Sequence, residues 1–353
     1  MTRSITTLLE QRDALDEQQR ARFDALYDVA VVTGRLDPPA PMEPWLTERF
    51  GGADAVRTQR IVKVTNRWTR EGALFNELRA RRPIPSATQD PQPARACDLC
   101  DPANRTTADT FGRITGDHSI TASNVAKYDG QHGIVIFGSH DAPGWDEDQV
   151  VDAFATARRW LAAANTATAD AIYPFVVWNH GARSGASIAH PHLQVLLAED
   201  GPYARVGVWR EAAAAYPRQT GRHFIDDLVD AHDALGLAGG TAVRWLAHLT
   251  PVKERETLIV ARALDDDLAR AIHAVLRVML EDLGATAFNV ACYLRPLGPT
   301  HEDWSELPAI ARIVDRGDLA RATSDIGAME LYAQPVISTD PFTVAEALRA
   351  RLG

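Results

Sequence analysis

The chain predicts an α+β fold built on a largely antiparallel sheet flanked by helices. Three observations lead there. Strand-like apolar runs follow one another both through turns and through helices, the helical stretches space their apolar residues by three and four, and no G-x-G-x-x-G follows a strand as a doubly wound fold requires. At 353 residues the chain is long enough for one large continuous core or for two fused halves.

Taken in order, residues Thr6 to Val32 read as an amphipathic helix ending near Gly34, and the Pro-rich LDPPAPMEP that follows reads as a linker. Arg60 to Trp68 is strand-like, and after it Arg79, Arg81 and Arg82 crowd together before Pro83. The stretch DPQPARACDLCDPANRTT is rich in turn formers, as a metal knuckle would be. HGIVIFGSH, from His132 to His140, reads as a buried strand that delivers a histidine at its end. Asp146–Ala164 and Leu264–Leu283 are helical by spacing, while AIYPFVVW, VRWLAHL, TLIVAR, AFNVACYL and IARIV read as strands.

The stretch WNHGARSGASIAHPHLQVLL, residues 178 to 197, concentrates the chemistry. On a strand His190, His192 and Gln194 share one face, with Pro191, Leu193 and Val195 turned into packing. Burying three such groups unpartnered would cost about 1–3 kcal/mol each, so a ligand, metal or water network is expected to receive them. Pro191 cannot donate to a ladder and implies an edge or a bulge. Just upstream, Gly181 and Gly185 allow backbone N–H groups to approach an anion, with Arg183, Ser184 and Ser187 as further donors.

Cys97 and Cys100 have the two-residue gap that lets both thiolates reach one tetrahedral ion. Two more ligands are required, and His140 and His190 complete a Cys2His2 site; His132, His180 or Asp141 could stand in for His140. A zinc held by four protein ligands is a structural staple, with no open position for a reacting water. Cys292, within AFNVACYL, reads as a small buried hydrophobe.

Composition excludes several classes. The formal net charge of −10 argues against a nucleic-acid or anionic-membrane surface. The N-terminal segment is charged throughout, and no apolar run approaches the roughly 20 residues of a spanning helix, so a cytoplasmic protein is expected. Three cysteines do not make a secreted disulfide framework.

Asn179, the G-x-x-x-G-x-S spacing of Gly181, Gly185 and Ser187, the run His190-Pro191-His192-Leu193-Gln194, and the upstream CDLC and GSH resemble the galactose-1-phosphate uridylyltransferase branch of the histidine-triad (HIT) superfamily. The resemblance spans about residues 75 to 200. It implies two fused HIT-like halves: a helical extension and linker over 1–55, a first half with the zinc knuckle and HPHLQ over 56–204, and a degenerate second half over 205–353. It implies zinc on Cys97, Cys100, His140 and His190, and His192 as the nucleophile of a nucleotidyl-histidine intermediate. Gln194, where HIT hydrolases carry another histidine, would favour transfer over hydrolysis. Arg79 and Arg82 match the family's paired arginines, and Asn124 and Asn179 its nucleotide-contacting asparagines, with Arg183, Gly185 and Ser187 at the phosphates.

The activity implied is transfer of UMP between a UDP-sugar and a sugar 1-phosphate, as in galactose metabolism, by a homodimer that binds a nucleotide-sugar and a sugar phosphate. A phosphorylase of ADP-glucose or dinucleoside polyphosphates is the enzymatic alternative, and a zinc-stapled nucleotide-binding protein without catalysis is the second. Departures from the family pattern are Ala186 before the motif serine, and Val125 and Ala122 around Asn124. SELPAIARIV takes the place of a His-x-His pair in the second half, and IGAMELYAQ matches the hexose-contacting segment only through Glu330.

Overall fold

Thirteen strands pair into two sheets in the computed structural model, which describes residues 3–76, 78, 97–140, 144–318 and 325–353. The smaller sheet contains β1 (Tyr27–Arg35), β2 (Thr58–Asn66), β3 (Gly72–Phe75) and, parallel to β3, β13 (Val336–Ile337). The larger is built from β4 (Ser119–Ser123), β5 (Gln131–Phe137), β6 (Tyr173–His180), β7 (His192–Ala198), β8 (Ala238–Gly240), β9 (Arg244–Ala247), β10 (Thr257–Ala261), β11 (Phe288–Tyr293) and β12 (Ala309–Asp315). Its order is β4-β5-β7-β6-β11-β12-β10-β9-β8, with every pairing antiparallel.

That order contains a repeat that the amino acids do not display. A hairpin (β4–β5), a helix (Glu147–Ala167) and a second hairpin (β6–β7) form the first four strands; β9–β10, a helix (Asp266–Arg277) and β11–β12 form the second four. In each set the last strand inserts beside the first hairpin, and β6 pairs with β11 to join the sets. The fold is thus α+β, with two similarly wound sets of four strands joined in one antiparallel sheet.

Both crossover helices lie on the same face of that sheet. Asp146 caps the first reciprocally with Gln149, and Val150, Ala153, Phe154, Ala157, Trp160, Leu161 and Ala164 form its buried stripe. Asp265 caps the second, which buries Leu268, Ala269, Ile272, Val275 and Leu276. Leu193, Val195 and Leu197 of β7 point into this layer and are fully buried. The register leaves the other face to polar groups: His192 lies opposite Ile136, Gln194 opposite Ile134 and Val177, and Asn179 opposite Asn289.

The helical reading of the N-terminal segment holds only to Leu26, where the helix Glu17–Leu26 ends. Tyr27–Arg35 is instead strand β1, because VAVVT is β-branched and alternates between partly covered and exposed positions. The helix Glu17–Leu26 packs on the helix Phe224–Leu235, and Arg22 pairs with Asp227 (3.4 Å) and Asp230 (2.9 Å). No described helix is long and apolar enough to cross a membrane.

Candidate active site and metal centre

Strand β7 starts at His192, one residue after Pro191, so strict alternation covers His192 and Gln194 but not His190. His190 precedes the ladder and is buried, and its Nε2–H donates to the carbonyl of Phe137 at 2.7 Å. The physical reason is Pro191, which has no N–H for the ladder, while its carbonyl still accepts from Phe137 N at 3.1 Å. This break turns His190 away from the polar face and toward the knuckle.

There His190 Nδ1 stands 3.7 Å from Cys97 Sγ, 3.6 Å from Cys100 Sγ and 3.2 Å from His140 Nδ1, with Cys100 Sγ 3.1 Å from His140 Nδ1. All four donor atoms lie within 4.8 Å of one another. A tetrahedral ion with bonds of about 2.3 Å to sulfur and 2.0–2.1 Å to nitrogen spaces its donors about 3.3–3.8 Å apart. Two thiols and two imidazoles, one oriented by a backbone carbonyl behind it, therefore fit such an ion in chemistry and in spacing. Cys97, Cys100, His140 and His190 form a possible metal-binding group, drawn from the 3-10 turn Asp98–Cys100, the end of β5 and the approach to β7. Of the alternatives for His140, His180 stacks between Trp145 and Phe288, His132 belongs to β5 facing Gln194, and Asp141 lies outside the described residues.

His192 is half-buried on the polar face of β7. Its Nδ1–H donates to the carbonyl of His190 at 2.8 Å, which leaves the lone pair on Nε2, and Nε2 makes no hydrogen bond among the described residues. Burial is the larger influence on this ring and lowers its pKa below the ordinary histidine value, against the opposing pull of the His190 carbonyl. Two residues on, Gln194 Oε1 is 3.1 Å from Nε2 of His132.

The other anticipated residues lie on neighbouring strands and loops. Asn179, near the end of β6 and opposite Asn289 of β11, accepts at Oδ1 from Asn289 Nδ2 at 2.6 Å. Asn124, just after β4, accepts at Oδ1 from Ala126 N at 3.0 Å. Gly181 (φ 81°) and Gly185 (φ 90°) both adopt left-handed backbone, and a Cβ at Gly181 would meet that of Ala287 at 2.9 Å. Ser187 is exposed on this loop, whereas Ser184 is buried, with its hydroxyl donating to the Gly181 carbonyl at 2.7 Å. Arg183 turns to the carbonyl of Arg316 (3.3 Å) and toward Asp325 (3.9 Å). Arg79 and Arg82 lie outside the described residues. Glu330 is held by the N–H groups of Gly327 (2.9 Å) and Val336 (3.4 Å), beside Arg70 and Gln334 in a cavity of about 340 Å³.

Two contacts at the site are not legible in the sequence. His132 reads there as the start of a strand and as a stand-in for His140, not as a partner of Gln194, and Asn289 reads as part of an apolar strand. A polar residue within an apolar strand was the available signal for Asn289, but only the pairing of β11 with β6 places it on the polar face.

No family model matches the chain, and no curated protein matches it. Solved structures do. The ADP-glucose phosphorylase from Arabidopsis thaliana with bound ADP-glucose superposes with a TM-score of 0.61 at 20% identity, over 80% of this chain and 95% of that one. A uridylyltransferase gives 0.59 at 16% identity, over 82% and 97%. The chain shares the fold of both structures. A galt-like protein from Arabidopsis thaliana matches that same fold, with a TM-score of 0.59 at 18% identity over 80% of this chain and 96% of its own.

Proposed function

We propose that the protein is a nucleotidyltransferase that works through a nucleotidyl-histidine on His192, moving UMP between a UDP-sugar and a sugar 1-phosphate. One observation carries the reading: Nδ1–H of His192 is held on a backbone carbonyl, so Nε2 presents its lone pair on the open face beside an amide. Nε2 attacks the α-phosphorus, the bond from that phosphorus to the bridging oxygen breaks, and sugar 1-phosphate leaves as the dianion. Nδ1 keeps its proton throughout. A phosphate oxygen of the second sugar 1-phosphate then attacks, the N–P bond breaks, and the neutral imidazole returns.

The amide NH2 of Gln194, the loop N–H groups near Gly185, Ser187 and Arg183 are assigned to the phosphoryl oxygens, Asn124 and Asn179 to the nucleotide, and Arg79 and Arg82 to the phosphates. An amide at 194 is neither acid nor base, which favours transfer over hydrolysis. The metal group is assigned to zinc, which would act as a staple holding the knuckle and the end of β5 against His190, two residues before the nucleophile. A homodimer and a place in galactose metabolism accompany this reading. The same residues would serve a phosphorylase, and the likeness to a structure holding ADP-glucose supports keeping that reading second.

Incubation of the purified protein with labelled UDP-glucose or ADP-glucose, each with phosphate or with galactose 1-phosphate, tests the choice. Labelled UDP-galactose is the expected product. Consumption of ADP-glucose only with phosphate transfers the assignment to the phosphorylase, and no turnover of either overturns both.

A further inference from the structure

His132, at the start of β5, has no accessible surface, and its two ring nitrogens meet different partners. The backbone N–H of Tyr128 lies 3.0 Å from Nδ1. An amide N–H only donates, so Nδ1 must carry the lone pair and, in a neutral ring, Nε2 the hydrogen. Burial keeps the ring neutral by lowering its pKa, and the Tyr128 ring covers it at a centroid distance of 4.6 Å. A hydrogen on Nε2 requires an oxygen, and the atom of Gln194 at 3.1 Å is Oε1.

The same ring nitrogen has Asn124 Nδ2 at 3.2 Å, but two donors do not bond, and Asn124 Oδ1 is already taken by Ala126 N–H. That leaves the Asn124 NH2 to a ligand. For Gln194 the consequence is orientational. A glutamine amide turned end for end would offer its oxygen to the phosphoryl oxygens, which repels them; with Oε1 taken by His132, the NH2 end is presented instead, and it makes no hydrogen bond among the described residues.

We propose that His132 is a positioning residue, a fixed Nε2–H donor that locks the Gln194 amide with its NH2 toward the phosphoryl group transferred at His192. The inference rests on the nucleotidyl-transfer reading. It assigns to β5 a role in the reaction beyond delivering a metal ligand at its end: the neighbouring strand sets which end of the amide the substrate meets.

The test is a double-mutant cycle with labelled UDP-glucose. His132→Leu, His132→Gln, Gln194→Ala and the two double variants are compared for the single-turnover rate of nucleotidyl-enzyme formation, with thermal melting alongside. His132→Leu is expected to slow the step at least about tenfold, short of the roughly 100-fold that removal of a donor costs. In the Gln194→Ala background it should change nothing, and His132→Gln, whose amide can donate to the same oxygen, should recover most of the rate. Equal slowing in both backgrounds overturns the positioning role alone. A wild type that forms no nucleotidyl-enzyme overturns the transfer reading and this proposal with it. Should His132→Leu fail to fold, nitrogen NMR of histidine-labelled wild type decides: an Nε2–H tautomer at His132 supports the lock, and an Nδ1–H or doubly protonated ring overturns it.

Discussion

Replacing His190 with alanine separates the proposed metal from the hydrogen bond of His192, the proposed nucleophile, because His192 is held by the backbone carbonyl of residue 190 and not by its ring. The substitution removes one of four donors lying within 4.8 Å of one another, together with the 2.7 Å bond to Phe137 O. A structural site that binds zinc at about 1,000 times below the free metal concentration stabilises the native state by about 4 kcal/mol. At about 2–4 °C per kcal/mol for large domains, the midpoint should fall by about 8–16 °C. The assay is calorimetry beside metal analysis by mass spectrometry, for wild type, Cys97→Ser, His190→Ala and His132→Gln. The first should hold about one equivalent of zinc, Cys97→Ser and His190→Ala should lose it, and His132→Gln should keep it. Chelator should lower the wild-type midpoint to about that of Cys97→Ser and leave the midpoints of both ligand variants unchanged, with His190→Ala the lower of the two for want of its bond to Phe137 O. Activity should fall in the ligand variants, since the chain segment that carries the His192 anchor is no longer pinned. A wild type without metal, or ligand variants that retain it, would refute the reasoning.

Changing Gln194 to His should raise the ratio of hydrolysis to transfer, measured as free UMP against UDP-galactose, because an imidazole can move a proton where the amide cannot; an unchanged ratio counts against the role of Gln194. Arg312, buried between Glu256 (2.7 Å) and Glu71 (2.6 Å), should cost about 3–5 kcal/mol when replaced by Met, with partial recovery in Arg312→Met/Glu256→Gln, both read by urea unfolding. Acid should destabilise the fold in two stages. His232, buried with a pKa of about 3, binds its proton in the unfolded chain from about pH 6.5 downward, so stability falls by up to about 1.4 kcal/mol per pH unit between there and pH 3. Glu256, with a pKa of about 2 despite its burial because Arg312 and His248 favour the carboxylate, adds a further loss below about pH 4.5. Flat stability from pH 6.5 to 4 in urea titrations would contradict the His232 assignment.

How far sequence reasoning reached follows from what kind of signal each element carries. The strands β5, β6, β10, β11 and β12 were readable because each is an apolar, β-rich run bounded by turn formers or by a helix. The two crossover helices were readable by their spacing. Strands β3, β8 and β13 were not, since four, three and two residues carry no periodicity and become strands only through their neighbours. At the site, Cys97, Cys100, His140 and His190 could be grouped because their residue types admit few combinations. The His132–Gln194 contact could not, as it depends on the register of β5 with β7 and on which ring nitrogen Tyr128 occupies. Pro191 implies an edge or a bulge in the sequence, but it stands just before β7, a strand flanked by β5 and β6, and the result, His190 swung out of line with His192 and Gln194, required coordinates.

The most direct measurement is the mass of the protein after brief exposure to UDP-glucose, quenched at alkaline pH where a phosphoramidate survives, followed by proteolysis and fragment sequencing. The account predicts one added uridylyl group per chain, located on His192, absent from His192→Gly, and discharged as UDP-galactose when galactose 1-phosphate is added. A wild type of unchanged mass that still turns over substrate, or a nucleotidyl group on any residue other than His192, would contradict it.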